Sequence, residues 1–370
     1  MAFEALIRMV SSSSSSPSSS IFTHQYGYNS TLLMNMTPNS LHAPFYHITD
    51  PWKINIASSK TFNLLAPIIV YWVVCSMWHH LDVMKYPYFE KRRIHESPEV
   101  ISRNKVTFSQ VIKAVALQHT IQIFLGWMWF EDQDVILKRE VYVDHLQKMS
   151  NLVPWVADAT LLLLGRRTGE KVLLKHGESL VAWIYWWGIP TFQMYFAFCL
   201  VDTWQYFWHR AMHTNRFLYR HFHSHHHRLY VAYAFGALYN HPVEGFILDS
   251  LGSAVAEKVA LMTLRQATLL FVISSIKTAD DHCGYRLWWD PCQLLFANNA
   301  DYHDIHHQAY GIKSNFSQPF FTNWDKLLGT QMSREQADSK TRWKKLAHDE
   351  HYSEHDKHNI ISQGHAKKID

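Results

Sequence analysis

Cysteine is scarce in this sequence of 370 residues: Cys75, Cys199, Cys283 and Cys292 are the four present, and none forms a Cys-x-x-Cys pair. This scarcity argues against a disulfide framework or a thiolate metal site, so we expect reduced thiols. The net charge is only +4, without a concentrated basic face, which disfavours nucleic acid as a partner. The sequence also lacks a His-Glu-x-x-His zinc-protease motif, a Gly-x-Gly-x-x-Gly fingerprint and a P-loop, which removes the commonest competing reactions.

Apolar residues are abundant, at 48% with 15% aromatic, more than one modest soluble core needs. Residues 62–78 predict a transmembrane helix at the short end of what crosses a bilayer. Residues 111–130 are apolar but carry polar side chains, so this segment either faces other helices or is partly embedded. Residues 180–201 are the most strongly apolar, with tryptophans near one end, and are the best predicted span. Residues 153–164 are too short to cross, and either lie at the interface or pack inside.

The segment 244–276 separates two groups of histidines that must reach one site on one side of the membrane. It therefore crosses twice or not at all, and its 33 residues fall short of the roughly 40 that two full crossings need. A short re-entrant hairpin fits best. The predicted fold is an all-α integral membrane protein, in which transmembrane helices carry a cytosolic, helical, histidine-rich di-metal domain.

Four regions are predicted along the chain. Residues 1–58 include a serine run and are read as a weakly ordered leader, because this composition buries too little apolar surface. Residues 59–178 are read as a membrane-associated region, 179–333 as the histidine-rich di-metal domain, and 334–370 as a polar tail. The end, Lys367-Lys368-Ile369-Asp370, resembles a dilysine signal for retrieval to the endoplasmic reticulum. That signal would make the C-terminus and the histidine site cytosolic in a multi-pass protein.

Histidine is the unusual residue, with 26 in the chain and 12 between His209 and His307. Repeated short spacings distinguish three clusters: His209-x-x-x-His213, then His223-x-x-His226-His227, then His282 with His303-x-x-His306-His307. Side chains at i and i+4 project from one helical face, where two imidazoles can hold one ion. His241 precedes a helix start at Pro242 and is either a cap residue or a further ligand.

The number and kind of these side chains indicate two metal ions. Structural zinc takes four ligands and catalytic zinc takes three plus water, whereas eight to ten imidazoles are available here. Nitrogen donors suit iron, zinc, copper or nickel. Iron is favoured because the site faces a bilayer rich in saturated chains, whose unactivated C–H bonds call for a cofactor that activates O₂. The electrons must then come from outside. Carboxylates expected close to the ligands are Asp202, Asp281 and Asp304.

These motifs resemble the fatty acid hydroxylase superfamily of membrane di-iron oxygenases. The longer strings from Thr214 to Tyr230, from Gly236 to Gly245 and from Asn315 to Asp325 look more specifically like fungal sphinganine C4-hydroxylases. The resemblance implies O₂-dependent hydroxylation at C4 of a sphingoid base, free sphinganine or dihydroceramide. It also implies electrons from NAD(P)H through cytochrome b5 and its reductase as separate partners. The ligands that it implies are His209, His213, His223, His226, His227, His282, His303, His306 and His307, with His241 as a tenth.

Two positions depart from that pattern. His225 stands where we expect an apolar residue, and Arg286 stands where fatty acid 2-hydroxylases carry another histidine. Two alternatives stay open: a sterol C4-methyl oxidase or fatty-acyl hydroxylase on the same scaffold, and a non-enzymatic membrane metal binder or transporter. The transporter is disfavoured because its ionisable residues should lie within crossing helices, whereas these histidines lie at or beyond the span ends.

Overall fold

The computed structural model describes residues 30–47, 56, 60–95, 102–129, 135, 136 and 142–341. The serine run of the predicted leader, most of the tail and the dilysine-like end therefore lie outside the described residues, whereas residues 30–47 and 56 of the leader are described. The α-helices are α1 Ser30–Met36, α2 Lys60–Met84, α3 Pro87–Glu90, α4 Phe108–Trp129, α5 His145–Leu164, α6 Arg166–Trp183, α7 Ile189–Thr214, α8 Arg216–Leu218, α9 Pro242–Gly245, α10 Gly252–Val259, α11 Leu264–Asp281, α12 Pro291–Leu295, α13 Ala300–His307 and α14 Asn323–Leu327. Between them lie the π-helical turns Ile184–Gly188, Tyr219–His223 and Phe246–Leu251, and the 3₁₀ turns His226–Arg228 and Ala234–Gly236.

The described part of the chain is helical and contains no β-strand, which confirms the all-α prediction; Arg93 and Tyr285 form an isolated bridge there. Two described helices, α2 and α4, are long and apolar enough to cross a membrane. Only 22% of the most apolar window of each is buried within the protein. Side chains such as Ile69 and Val73 on α2 and Phe124 on α4 are exposed, as lipid-facing residues would be.

The strongest predicted span, 180–201, is helical throughout but includes a π-helical turn. Its apolar run is divided between α6, the π-helical turn Ile184–Gly188 and α7. Helix α6 begins with charged residues and α7 continues into the polar residues that precede the histidines. Taken alone, neither α6 nor α7 is among the described helices that are apolar enough to cross a membrane. The reason is that each of them also includes polar residues.

The chain divides into two compact units, of which the first comprises Met1–Pro67, Ile123–Leu200 and Ser253–Ile273. Its core is formed where α1, α5 and α6 pack together, with Met36, Ala157 and Leu173 fully buried. Within residues 153–164 of α5, one face packs in this core through Val153, Val156 and Leu161, whereas Leu162 and Leu163 are exposed. A second apolar cluster in this unit surrounds Ala197 and Leu270.

The second unit comprises Ile68–Gln122, Val201–Gly252 and Ser274–Asp370. Its core includes Tyr71 and Cys75 of α2 and Val111 of α4, packed with residues that follow the second histidine cluster. The hydroxyl of Tyr71 donates a hydrogen bond to the carbonyl oxygen of Phe235 at 3.1 Å. The apolar faces of both candidate spans are therefore fixed against the part of the chain that carries the histidines.

The segment 244–276 leaves the second unit after Gly252 and returns to it at Ser274. Helix α10 ends at Val259 and α11 begins at Leu264, so a short turn reverses the chain between two helices. Leu261 in this turn has a φ of 54°, and the carbonyl oxygen of the same residue accepts a hydrogen bond from Gln193 at 2.8 Å. The segment thus returns to the unit it left; the re-entrant hairpin at the membrane stays a prediction.

Candidate metal centre

Nine histidines of the second unit converge in two groups. Within each group, the nitrogen atoms available as ligands all lie within 4.8 Å of one another. The first group, named group one, consists of His209, His213, His223, His227 and His306; the second, named group two, consists of His226, His282, His303 and His307. All nine are buried or nearly so. The two groups match in number the two ions that the sequence predicted.

The two His-x-x-His-His motifs divide their side chains between the groups in a reciprocal way. The second cluster gives its i, i+4 pair, His223 and His227, to group one and its middle histidine to group two. The third cluster gives its i, i+4 pair, His303 and His307, to group two and its middle histidine, His306, to group one. Each motif therefore contributes to both groups rather than to one ion.

Different local structures produce this division. His209 and His213 lie one turn apart on α7, as the sequence predicted, and the third motif lies on α13. The second motif was expected on a regular helical face, but it spans the end of the π-helical turn Tyr219–His223 and the 3₁₀ turn His226–Arg228. Such irregular turns concentrate at functional sites.

Hydrogen bonds fix the tautomer of several rings. The Nδ1 atoms that lie within 2.7–2.8 Å of a backbone carbonyl oxygen are those of His209, His282, His306 and His307, whose partners are Phe316, Thr278, Ser314 and Leu229. Because a carbonyl only accepts, each of these Nδ1 atoms carries the proton. The Nε2 atom is then left with a lone pair for a metal ion.

The Nε2 atoms converge closely within each group. In group one, the Nε2 atom of His223 lies 3.1 Å from those of both His209 and His227. In group two, the Nε2 atom of His303 lies 3.1 Å from those of both His282 and His307. Lone pairs at this separation repel each other unless a cation lies between them. The buried Nε2 atom of His306 has no hydrogen-bond partner among the described residues, as expected of a ligand atom.

Burial keeps these imidazoles neutral. Desolvation lowers the pKa of His223 to about 3 and that of His282 to about 3. Desolvation also lowers the pKa of His226 to about 4, helped by the neighbouring His223. Neutral imidazole is the form that binds metal ions, so the rings of both groups are in the binding form at neutral pH.

Glu244 is a residue of the site that the sequence reasoning read only as part of a helix start. One of its carboxylate oxygens lies 2.5 Å from the Nδ1 atom of His223, and both side chains are buried. A carboxylate on the second nitrogen of a ligand histidine fixes the ring orientation and raises its basicity. The Asn-His-Pro-Val-Glu string was the available signal, because its glutamate follows a helix start immediately after the second cluster.

Asp202 does not contact a ligand histidine in the way that the sequence suggested. Its carboxylate accepts the backbone N–H groups of Phe320 and Phe321 at 3.0 and 2.6 Å. That contact anchors α7 to the loop whose Phe316 carbonyl accepts from His209. Asp202 thus supports the site through the backbone of this loop.

Asp281 and Asp304 lie beside ligands in the chain but pair with cations. Asp281 forms an ion pair with Lys277, one turn earlier on α11. Asp304 accepts from His95 at 2.7 Å and pairs with Arg334 at 2.9 Å. These contacts fix the positions of α11 and α13, the helices that carry the ligands. They do not orient the imidazole rings themselves.

His241 lies outside both groups. Its Nδ1 atom accepts the backbone N–H of Val243 at 3.2 Å, which makes it the N-cap of α9, and its ring packs beside those of Phe222 and His225. The sequence left open whether His241 is a cap residue or a ligand, and in the structure it is a cap residue. His225 also lies outside both groups.

We expect His225→Val to retain most of the activity and metal content of the parent protein. The ring of His225 is half-buried beside His241, and its Nδ1 atom makes a long 3.3 Å contact with the carbonyl oxygen of Phe222. Turnover and metal content of the two purified proteins provide the measurement. A loss as severe as that caused by replacing His226 would show that the second motif is shifted by one position.

A small cavity of about 30 Å³ touches members of both groups. It is lined by His223 of group one, by three histidines of group two, and by polar side chains that include Glu244 and Asp249. A space of this size holds one or two molecules as small as water. A larger cavity of about 950 Å³ in the same unit is lined by none of the nine histidines. The small cavity thus offers room for a diatomic or water-sized molecule beside both groups.

Comparison with known proteins agrees with this class of site. Residues 194–330, which contain all nine histidines, match the model of the family described as fatty acid hydroxylase. Two buried histidine groups that can hold metal ions and two apolar helices long enough to cross a membrane fit a membrane-associated hydroxylase of this family. The chain belongs to the fatty acid hydroxylase family, which confirms the resemblance seen in its sequence.

Individual relatives show a more specific similarity than the family model does. The chain is 43% identical over 272 residues to sphingolipid C4-hydroxylase sur2 of Schizosaccharomyces pombe, a match that covers 74% of this chain and 88% of the relative. It is 42% identical to sphingolipid C4-hydroxylase SUR2 of Saccharomyces cerevisiae, over 74% of this chain and 72% of that protein. It is 38% identical to sphinganine C4-monooxygenase 2 of Arabidopsis thaliana, over 75% and 90%. No solved structure matches the chain.

Proposed function

We propose that this protein hydroxylates C4 of a sphingoid base, giving the phyto form. The observation that carries the proposal is the pair of buried histidine groups, found within the region shared with the fatty acid hydroxylase family. The position of hydroxylation rests on relatives named sphingolipid C4-hydroxylases, which match about three quarters of the chain. The reaction inserts one atom of O₂ into a C–H bond; two electrons and two protons reduce the other atom to water.

The nine histidines fit two iron ions. Groups one and two provide nine neutral imidazoles, donors that suit iron, and the orphaned Nε2 atom of His306 supports a bound cation. An iron pair held by these residues would supply the activation of O₂ that an unactivated C–H bond requires. The chain's own residues fix the ring tautomers through backbone carbonyls and, at His223, through Glu244. The small cavity beside both groups has room for a molecule the size of water or O₂.

We also propose the source of the electrons, the substrate, and the membrane in which the protein lies. Electrons come from NAD(P)H through cytochrome b5 and its reductase, and the substrate is sphinganine or dihydroceramide. The protein lies in the endoplasmic reticulum membrane with its centre on the cytosolic side. The candidate spans α2 and α4 support membrane insertion, and residues of both pack in the unit that holds the histidines.

Expression in cells that lack sphingoid-base C4-hydroxylation tests the activity. We expect phytosphingosine-type lipids to appear with this chain and to be absent with empty vector. Supplying labelled sphinganine while ceramide synthesis is blocked distinguishes the free base from dihydroceramide as substrate. Unchanged phytosphingosine together with altered 4-methyl sterols would contradict the proposal and favour the sterol oxidase alternative.

A further inference from the structure

A third group of potential ligand atoms lies in the second unit, apart from the two histidine groups. Asp280, Asp290 and Cys292 each offer one atom, and these atoms all lie within 4.8 Å of one another. We propose that these three side chains bind a divalent cation of the zinc class, in addition to the metal pair of the histidine centre. This inference does not depend on the proposed hydroxylation.

The backbone places these side chains together. Asp280 lies in the last turn of α11, and Asp290 is the N-cap of α12. One carboxylate oxygen of Asp290 accepts the backbone N–H of Cys292 at 2.8 Å, and Pro291 occupies the first helical turn between them. This cap holds Asp290 and Cys292 as neighbouring donors, while the end of α11 supplies the third.

The carboxylate of Asp280 is the observation that points to a bound ligand. Its side chain is only 2% exposed, and neither of its oxygens has a hydrogen-bond partner in the described part of the chain. Asp290 is also buried, at 5% exposure. The buried ammonium group on the same helix, Lys277, forms its ion pair with Asp281 instead. A buried carboxylate without a partner is costly, and a second carboxylate beside it adds repulsion that a cation removes.

The donor types indicate which cation fits. Two carboxylate oxygens and one thiolate form a mixed set that zinc accepts, whereas magnesium and calcium prefer oxygen alone. The absence of a Cys-x-x-Cys pair argued against a thiolate site, but here the fold brings two aspartates to one cysteine. A cation at this position would join the end of α11 to the start of α12. Because His282 follows Asp280 by two residues, that link would also hold one ligand of group two in place.

Cobalt loading of the purified, metal-depleted full-length protein tests this site. Co²⁺ bound by a thiolate gives a near-ultraviolet charge-transfer band that cobalt bound by imidazoles alone does not give. We expect this band in the parent protein and its loss in Cys292→Ser, together with one fewer cobalt ion per chain. Asp290→Asn keeps a side chain suited to an N-cap and should also lose that ion.

Two further proteins make the result decisive. Cys199→Ser is the matched control, because Cys199 belongs to the other unit and lies in none of the three groups of ligand atoms. This variant should keep both the band and the cobalt content. Cys292→His should keep the ion but lose the thiolate band. A parent protein without the band would overturn the proposal and indicate that Asp280 and Asp290 share a proton instead. The same conclusion follows if Cys292→Ser keeps the parent band and cobalt content.

Discussion

Replacing His306 with alanine is expected to reduce hydroxylation below detection while the protein remains folded and inserted in the membrane. The ring is fully buried, and its Nε2 atom faces the other members of group one without a hydrogen-bond partner. Its removal takes one ligand from group one and leaves a void where the imidazole stood. We expect about one metal ion per chain to be lost or weakly held, as measured by metal analysis beside turnover of sphinganine.

His241→Asn is the matched control for this variant. Asparagine is a preferred N-cap residue, so the start of α9 should be preserved, and His241 lies outside both histidine groups. This control should retain turnover and metal content close to the parent values. Turnover retained by His306→Ala would contradict the assignment of His306 to the centre.

Replacing Glu244 with glutamine is expected to lower turnover or metal affinity by about 10- to 100-fold, the usual cost of losing a carboxylate partner of a ligand histidine. The carboxylate accepts from Nδ1 of His223 at 2.5 Å, and neither side chain reaches solvent. Glutamine keeps the size of the side chain but removes the charge that raises the basicity of the ring. Metal affinity can be measured by competition with a chelator, and turnover at saturating iron should recover part of the lost activity.

Glu257→Gln provides the comparison, because Glu257 is a buried glutamate of the other unit and belongs to no ligand group. It should leave metal affinity unchanged. If both glutamine variants lose metal equally, the effect of Glu244 is general destabilisation rather than positioning of His223. A Glu244→Gln protein with unchanged metal affinity and turnover would show that the contact with His223 has no role.

Much of the centre follows from spacing along the chain. The pair His209 and His213 needs only an unbroken helix, and α7 provides it. The His-x-x-His-His spacing also marks the right side chains, because three or four residues separate neighbours on a helical surface. Which group each histidine joins could not be predicted, since that depends on how the turns around the second motif and α13 are placed in three dimensions.

The supporting contacts were harder to predict because they join distant parts of the chain. Glu244 follows His223 by 21 residues, and Asp202 meets the loop at Phe320 across more than a hundred. In each case an acidic side chain near a ligand in sequence has several candidate partners, and only tertiary packing selects one. The segment 180–201 shows the same limit for the fold, because its apolar content predicted a helical span but not the π-helical turn within it.

The reciprocal division of the two His-x-x-His-His motifs between groups one and two limits how such a sequence can change in evolution. Inserting one residue inside the motif on α13 would rotate the residues that follow by about 100°. Such a shift would displace His306 and His307 together, and these belong to different groups. A change of length in this motif therefore cannot alter one histidine group without altering the other. The sequence can then change only by point substitutions that keep the spacing of the histidines.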